Sequence, residues 1–345
     1  MTELYIISGF LGAGKTTCIQ TMVRSALKGK KVAVIENDFG ESSVDAALLA
    51  ECSLTVTNLS SGCICCSLTG DFRRALEQIQ KDYAPDVILV EPSGVGKLSD
   101  VVKPCIYLED QGKIQLVRTI TVVDARFFDK YRKNYGEFYE DQILYADLIL
   151  MSHQETCPDN LEHIAEKIRE MNPEAEIQMD FWESIPGKVF RYGFRNSNIL
   201  KLELEQAVSM KPVRIRKSGA GNKQEQKAGF FQRHFARDVF SAVTVEWNAP
   251  ITRDELGRRV LNVVKRAEGN ILRGKGIARN AEEHSGGEEY LAFHFLPESI
   301  SIEPTRASGH QICFIGTGLN PKQIETLFQE GGAHADTDMD HHRPA

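Results

Sequence analysis

No run of apolar residues in this 345-residue chain reaches the roughly 18 that a membrane-spanning helix requires, so no membrane partner is expected. A basic excess is missing too. The 41 Lys and Arg stand against 48 Asp and Glu, a formal charge of -7, which argues against a nucleic-acid partner, whose footprint is positive. The opening Met1-Thr-Glu-Leu-Tyr5 lacks the basic stretch that begins an export signal. There is no internal repeat. Cysteine is sparse except in one place: of eight residues, three crowd into Cys63-Ile-Cys65-Cys66. Adjacent cysteines make poor disulfide partners for each other, so reduced thiols serving metal or redox chemistry are the better reading, and a cytoplasmic location is expected. The remaining composition, 42% apolar and 26% charged, is that of an ordinary globular chain, and its length suggests two domains.

What is present begins at residue 9. Gly9-Phe-Leu-Gly12-Ala13-Gly14-Lys15-Thr16-Thr17 fits Gly-x4-Gly-Lys-Ser/Thr and directly follows the apolar run Leu4–Ile7. A buried strand delivers the chain to a glycine-rich turn whose backbone N–H groups form a concave nest. Lys15 adds a point charge for the β- and γ-phosphates, Thr16 a hydroxyl for magnesium, and the following helix its positive N-terminus. A nucleoside-triphosphate site is the reading; a plain glycine turn between strand and helix is the alternative.

Short apolar runs alternate with helical stretches through the first half. Leu4–Ser8, Lys31–Ile35, Leu54–Leu59, Asp86–Val90, Thr119–Val123 and Leu148–Met151 read as strands, and Thr16–Leu27 and Asp71–Asp82 as helices. That alternation predicts βαβ units and an α/β fold: a P-loop NTPase with a mostly parallel, doubly wound sheet. Ligands in such sheets sit beyond the carboxyl ends of strands, where the phosphate loop, Glu36-Asn-Asp38, Glu91 and Asp124 all fall. Residues 206–237 are basic and poor in apolar side chains, which suggests a flexible linker. From 238 to 330 the pattern is that of a smaller α+β domain, with strands at Phe240–Trp247, Leu291–Phe295 and His310–Ile315 and helices at Arg253–Arg266 and Pro321–Gln329. The tail, 331–345, is rich in His and Asp and is expected to be disordered. The first domain is taken as 1–205.

Glu91 ends a strand where phosphate-loop enzymes keep an acid near the magnesium; capping the strand-end turn is its other reading. Ser93-Gly94 offers a small, pliable backbone for sensing the γ-phosphate. Asp38 and Glu41 follow the second strand in a switch-like position, as partners for magnesium or for the attacking water. The cysteine cluster is the second strong signal. Thiolates favour zinc and similar ions, yet Cys65 and Cys66 would point to opposite faces of a strand, so one shared ion needs the turn that Ser60-Ser-Gly62 provides. Two or three thiolates leave a position open for Glu36, a water or a partner's ligand, which suits an ion carried and released. Inert or redox-active thiols are the competing view. His153 follows a strand and lines the prospective base pocket; His294 alternates within a strand as a packed or solvent-facing side chain.

These motifs resemble the CobW-type family of nucleotide-dependent metallochaperones, relatives of the UreG and HypB GTPases. The resemblance is carried by Gly9–Thr17, Glu36-Asn-Asp-Phe-Gly-Glu41, Gly62-Cys-Ile-Cys-Cys66, Glu91-Pro-Ser-Gly94 and Val122-Val-Asp124, and continues through Arg273-Gly-Lys-Gly276 and Phe314-Ile-Gly-Thr-Gly318. It implies a GTPase domain with a zinc-type site in which Glu36 joins Cys65 and Cys66, and a C-terminal domain that engages a client. One departure is plain. Where the family carries Asn-Lys-x-Asp, with its aspartate on guanine N1 and N2, this chain reads Ser152-His153-Gln154-Glu155. Glu155 keeps a carboxylate on a longer arm and Ser152 replaces some of the asparagine's bonding, so GTP is expected over ATP, with weaker discrimination.

The reading is a slow nucleotide switch. Lys15, Thr16 and Glu91, with Asp38 or Glu41, organise magnesium, phosphates and water; hydrolysis relaxes the adjoining segments and alters the metal grip at Cys63, Cys65, Cys66 and Glu36. The expected partner is a client metalloprotein, and homodimerisation is open. Two other classes stand beside it: an NTPase activator of a cofactor-dependent enzyme such as a corrinoid one, and a thiol redox regulator.

Overall fold

A computed structural model describes residues 1–36, 55–58, 70–191, 239–282, 289–297 and 299–331. Asp38, Glu41, Cys63, Cys65, Cys66, the linker 206–237 and the tail from 332 lie outside those residues.

Among the described residues the first domain is built on seven parallel strands: β1 (Thr2–Gly9), β2 (Val32–Glu36), β3 (Thr55–Asn58), β4 (Val87–Glu91), β5 (Ile114–Asp124), β6 (Leu148–Ser152) and β7 (Glu176–Gln178). Their order is β3-β2-β4-β1-β5-β6-β7. The central strands are continuous apolar runs because both sheet faces are covered. On one face Tyr5, Ile7, Val34 and Leu89 pack with Cys18, Ile19 and Met22 of α1 (Lys15–Arg24). On the other, Leu4, Ile6, Ile35 and Val90 pack under α2 (Gly70–Tyr83), α3 (Leu98–Asp110), α4 (Phe128–Leu144) and α5 (Leu161–Met171). The three-residue edge strand β7 is pinned by Arg118, fully buried on β5, whose guanidinium donates to Glu176 Oε2 at 2.6 Å.

Among its described residues the second domain holds five antiparallel strands in the order β11-β10-β9-β12-β8. They are β8 (Phe240–Glu246), β9 (Asn270–Arg279), β10 (Tyr290–Leu296), β11 (Ser299–Thr305) and β12 (Gln311–Thr317). Val243, Phe293 and Phe314 on one face bury against Leu256 and Val260 of α6 (Arg253–Arg266) and Phe328 of α7 (Pro321–Glu330). The opposite face meets the first domain. Phe240, Leu272, Cys313 and Ile315 belong to the same apolar cluster as Phe10 and Leu11. Phe240 lies 6.3 Å from Phe10, 5.5 Å from Tyr135 and 5.3 Å from Phe138 between ring centroids. Such ring pairs contribute about 0.5–1.5 kcal/mol each beyond their burial. The C-terminal domain is therefore seated on the second residue of the glycine-rich loop.

Candidate functional site

Gly14 holds φ 101, a left-handed conformation that glycine adopts without strain, and so turns the chain from the loop into α1. Among the described residues no side chain caps that helix, so the N–H groups of its first turn face the loop's concavity. Lys15 folds back over the same hollow: its buried Nζ lies 3.4 Å from the Phe10 carbonyl and 3.9 Å from Glu91 Oε1. Thr16 Oγ1 lies 3.3 and 3.4 Å from the two Glu91 carboxylate oxygens. The donor set that converges here, a hydroxyl and a carboxylate with an ammonium beside them, is all oxygen at the metal-facing groups, which is the chemistry magnesium takes. Thr17 is exposed on the helix and Ala13 buried beneath the loop.

Glu36 ends β2 in register with Glu91 at the end of β4, and it is buried at 6% exposure. Neighbouring strands lie about 4.8 Å apart, so the two residues stand side by side at the carboxyl end of the sheet. The segment after Glu91 is held tightly. A Cβ placed on Gly94 would fall 3.0 Å from Leu11 N and 3.1 Å from its Cα, so only glycine lets this turn lie on the phosphate loop. Gln142, buried on α4, donates to the carbonyls of Gly94 (3.2 Å) and Gly96 (2.8 Å) and fixes the turn from behind.

Beyond β6 the departure at 152–155 has a definite shape. Ser152 Oγ donates to the Ala13 carbonyl at 2.8 Å, so its hydroxyl ties the strand end to the phosphate loop. His153 takes a left-handed conformation, φ 58, with its ring nitrogens 3.8 Å from Asp124 Oδ2 and 3.9 Å from Glu155 Oε1. Asp124 itself is engaged by Arg126 through Nε (3.0 Å) and a terminal nitrogen (2.7 Å). Glu155 is half exposed at the rim. Gln154 Nε2 donates to the Asp180 carbonyl at 3.0 Å, and Trp182 Nε1 to the Met151 carbonyl at 2.9 Å. The loops after β6 and β7 are thus cross-tied, with the Trp182 indole over Gly14 and the Phe181 ring 59% exposed beside it.

Gln142, Phe181 and Trp182 belong to no motif of the sequence. Gln142 left one signal, a polar residue in register with the apolar Tyr135, Phe138 and Tyr139 of the same helix. Trp182, one of only two tryptophans, left its rarity. Among the described residues, no group of three or more His, Cys, Asp and Glu side chains is placed to hold a metal ion, and no helix is long and apolar enough to cross a membrane.

A glycine loop between β1 and α1, a lysine and threonine facing an acid at the end of a neighbouring parallel strand, and a polar loop beyond β6 define a phosphate-loop nucleotide-binding protein. Family models extend that. The CobW/HypB/UreG nucleotide-binding domain matches residues 3–179, and the C-terminal domain of the cobalamin synthesis protein CobW matches 240–331. The chain belongs to the CobW/HypB/UreG family, in the P-loop GTPase class. It is 29% identical over 338 residues to the zinc chaperone YjiA of Escherichia coli (strain K12), covering 94% of this chain and 96% of that one. It is 31% identical over 164 residues to the zinc chaperone YeiR of the same organism, covering 46% of this chain and 49% of that one. To zinc-regulated GTPase metalloprotein activator 1 of Saccharomyces cerevisiae it is 27% identical over 261 residues, covering 65% of this chain and 56% of that one. Among solved structures, the Zn(II)-bound YjiA GTPase of E. coli aligns at 20% identity over 95% of this chain and 98% of that one, with a TM-score of 0.43.

Proposed function

We propose that this chain is a GTP-hydrolysing metallochaperone that carries zinc or a similar ion and passes it to a client metalloprotein. The observation that carries the reading is the register of Glu36 with Glu91. Glu91 belongs to the phosphate side, within reach of Thr16 and Lys15, and Glu36 is one strand away at the same carboxyl end of the sheet.

In this reading the triphosphate lies along Gly9–Thr17, with backbone N–H groups and Lys15 on its phosphates. Thr16 and Glu91 would hold a magnesium ion, which would neutralise phosphate charge when bound. Asp38 and Glu41 orient the attacking water. Ser93-Gly94, pressed onto Leu11, follows the γ-phosphate. The base sits between the loops at 152–155 and 180–182, with Glu155 toward its edge and the Phe181 ring along its face, in place of the lysine stem that His153 replaces. Cys63, Cys65 and Cys66 with Glu36 hold the transported ion. The carboxylate next to Glu91 feels both charges, so the grip on the ion changes when the terminal phosphate leaves.

Zinc content of the freshly purified chain and of a Cys65→Ser/Cys66→Ser variant tests the site. About one zinc per wild-type chain, falling to near zero in the variant, is expected. Unchanged zinc content in the variant rejects the thiolate site.

A further inference from the structure

The two faces of the C-terminal sheet differ in chemistry. Gly274 and Gly276 lie against Phe293 on the face that α6 and α7 cover. Side chains alternate along a strand, so Lys275 between them points the other way, toward the first domain. Its cross-strand neighbours are His294 on β10 and Cys313 on β12. This face is the one seated on the phosphate loop. Cys313 packs in the cluster that contains Phe10 and Leu11, and Leu296, two residues from His294, touches the loop itself: a Cβ placed on Gly12 would fall 2.5 Å from Leu296 Cδ2.

Lys275 is completely buried there. Burial pushes its ammonium down to about 8; the Cys313 thiol and the Glu36 carboxylate oppose that shift and Lys15 adds to it. The lysine therefore sits within the fields of Glu36 at the end of β2 and Lys15 on the loop. The strand order says which end of a nucleotide this is. The cross-tied loops at 152–155 and 180–182 lie beyond β6 and β7, on one side of β1, whereas β4 and β2 lie on the other. A nucleotide with its base at the first pair of loops has its terminal phosphate toward Glu91 and Glu36. An ammonium at such a place adds a charge-assisted contact for a terminal phosphate that reaches it.

We propose that Lys275 is a second cation for the terminal phosphate, contributed by the C-terminal domain, so that the seating of that domain reads whether a tri- or a diphosphate occupies the loop. This rests on the nucleotide site at Gly9–Thr17. A purely structural lysine would affect both nucleotides alike; a phosphate-reading one separates them.

The test is equilibrium binding of a non-hydrolysable GTP analogue and of GDP to the full chain, wild type against Lys275→Met and Lys275→Arg. Lys275→Met is expected to weaken the triphosphate about tenfold and the diphosphate less than about twofold, with Lys275→Arg restoring part of the loss. Equal effects on both nucleotides, or no effect on either, overturn the proposal while leaving the nucleotide site standing. Failure of the wild type to bind either nucleotide overturns both. Should Lys275→Met not fold, hydrogen exchange in the wild-type chain decides. Stronger protection across 270–279 with the triphosphate than with the diphosphate supports the proposal, and equal protection ends it.

Discussion

Glu91 accepts from Thr16 and lies 3.9 Å from the Lys15 ammonium, so its charge is matched before any substrate arrives. Replacing it with glutamine keeps the shape and removes the charge that would hold magnesium. Glu91→Gln is expected to lower GTP hydrolysis by about 10²-fold or more, measured as phosphate release under saturating nucleotide and magnesium. A rate within twofold of wild type would remove Glu91 from the site. At this scale the phosphate loop is legible because its chemistry is local: a strand followed by glycines, a lysine and a threonine within the nine residues Gly9–Thr17. The ties that shape it are not. Ser152 reaches Ala13 across 139 residues of sequence, and Gln142 reaches Gly94 across 48. Such pairs carry no spacing rule, and only the fold brings them together.

Elements were legible where periodicity was strong and lost where it was weak. The amphipathic helix α6 is legible at Arg253–Arg266, the bounds it has, because its apolar residues recur at helical spacing; in the structure Thr252 caps it by accepting from the Glu255 N–H at 3.2 Å. Strand β9 is not legible in the sequence, since Arg273-Gly-Lys-Gly276 alternates glycine with charge, and the apolar partner that its glycines accommodate comes from other strands. The edge strand β11 is not legible either; it is mostly exposed and contains Pro304. Helix α3 shows how one element can finish another. Asp141 of α4 accepts from the Ser99 N–H at 2.9 Å and the Ser99 hydroxyl at 2.7 Å, supplying the helix with a cap that its own Lys97 does not. Burial raises the Asp141 carboxyl to about 6 from 3.8, with Asp100 adding and Ser99 and Lys97 opposing. The folded state then holds this proton more tightly than the unfolded one. The resulting stabilisation is complete below about pH 3.8 and is lost as pH rises through about 6. The melting temperature of wild type minus that of Asp141→Asn should fall between about pH 4 and pH 6.5 and stay level above. A flat difference across that range would contradict the account.

At the scale of the molecule, the C-terminal sheet and the nucleotide domain share one apolar cluster, centred where Phe240 meets Phe10. Two domains could be read from the sequence. Their contact could not, because Phe10 reads as one more loop residue until α4 surrounds it with Tyr131, Tyr135 and Tyr139. The phosphate loop is gripped from the C-terminal side and the Glu36–Glu91 pair lies at its edge, so in the proposed function nucleotide state and ion grip share the same few groups. Linkage then fixes the form of the decisive measurement: zinc affinity of the full chain, by chelator competition, with a non-hydrolysable GTP analogue and with GDP. The account predicts affinities that differ by about fivefold or more, and an equal factor when the affinity for the GTP analogue is measured with and without zinc. Zinc bound equally tightly in both nucleotide states would contradict it.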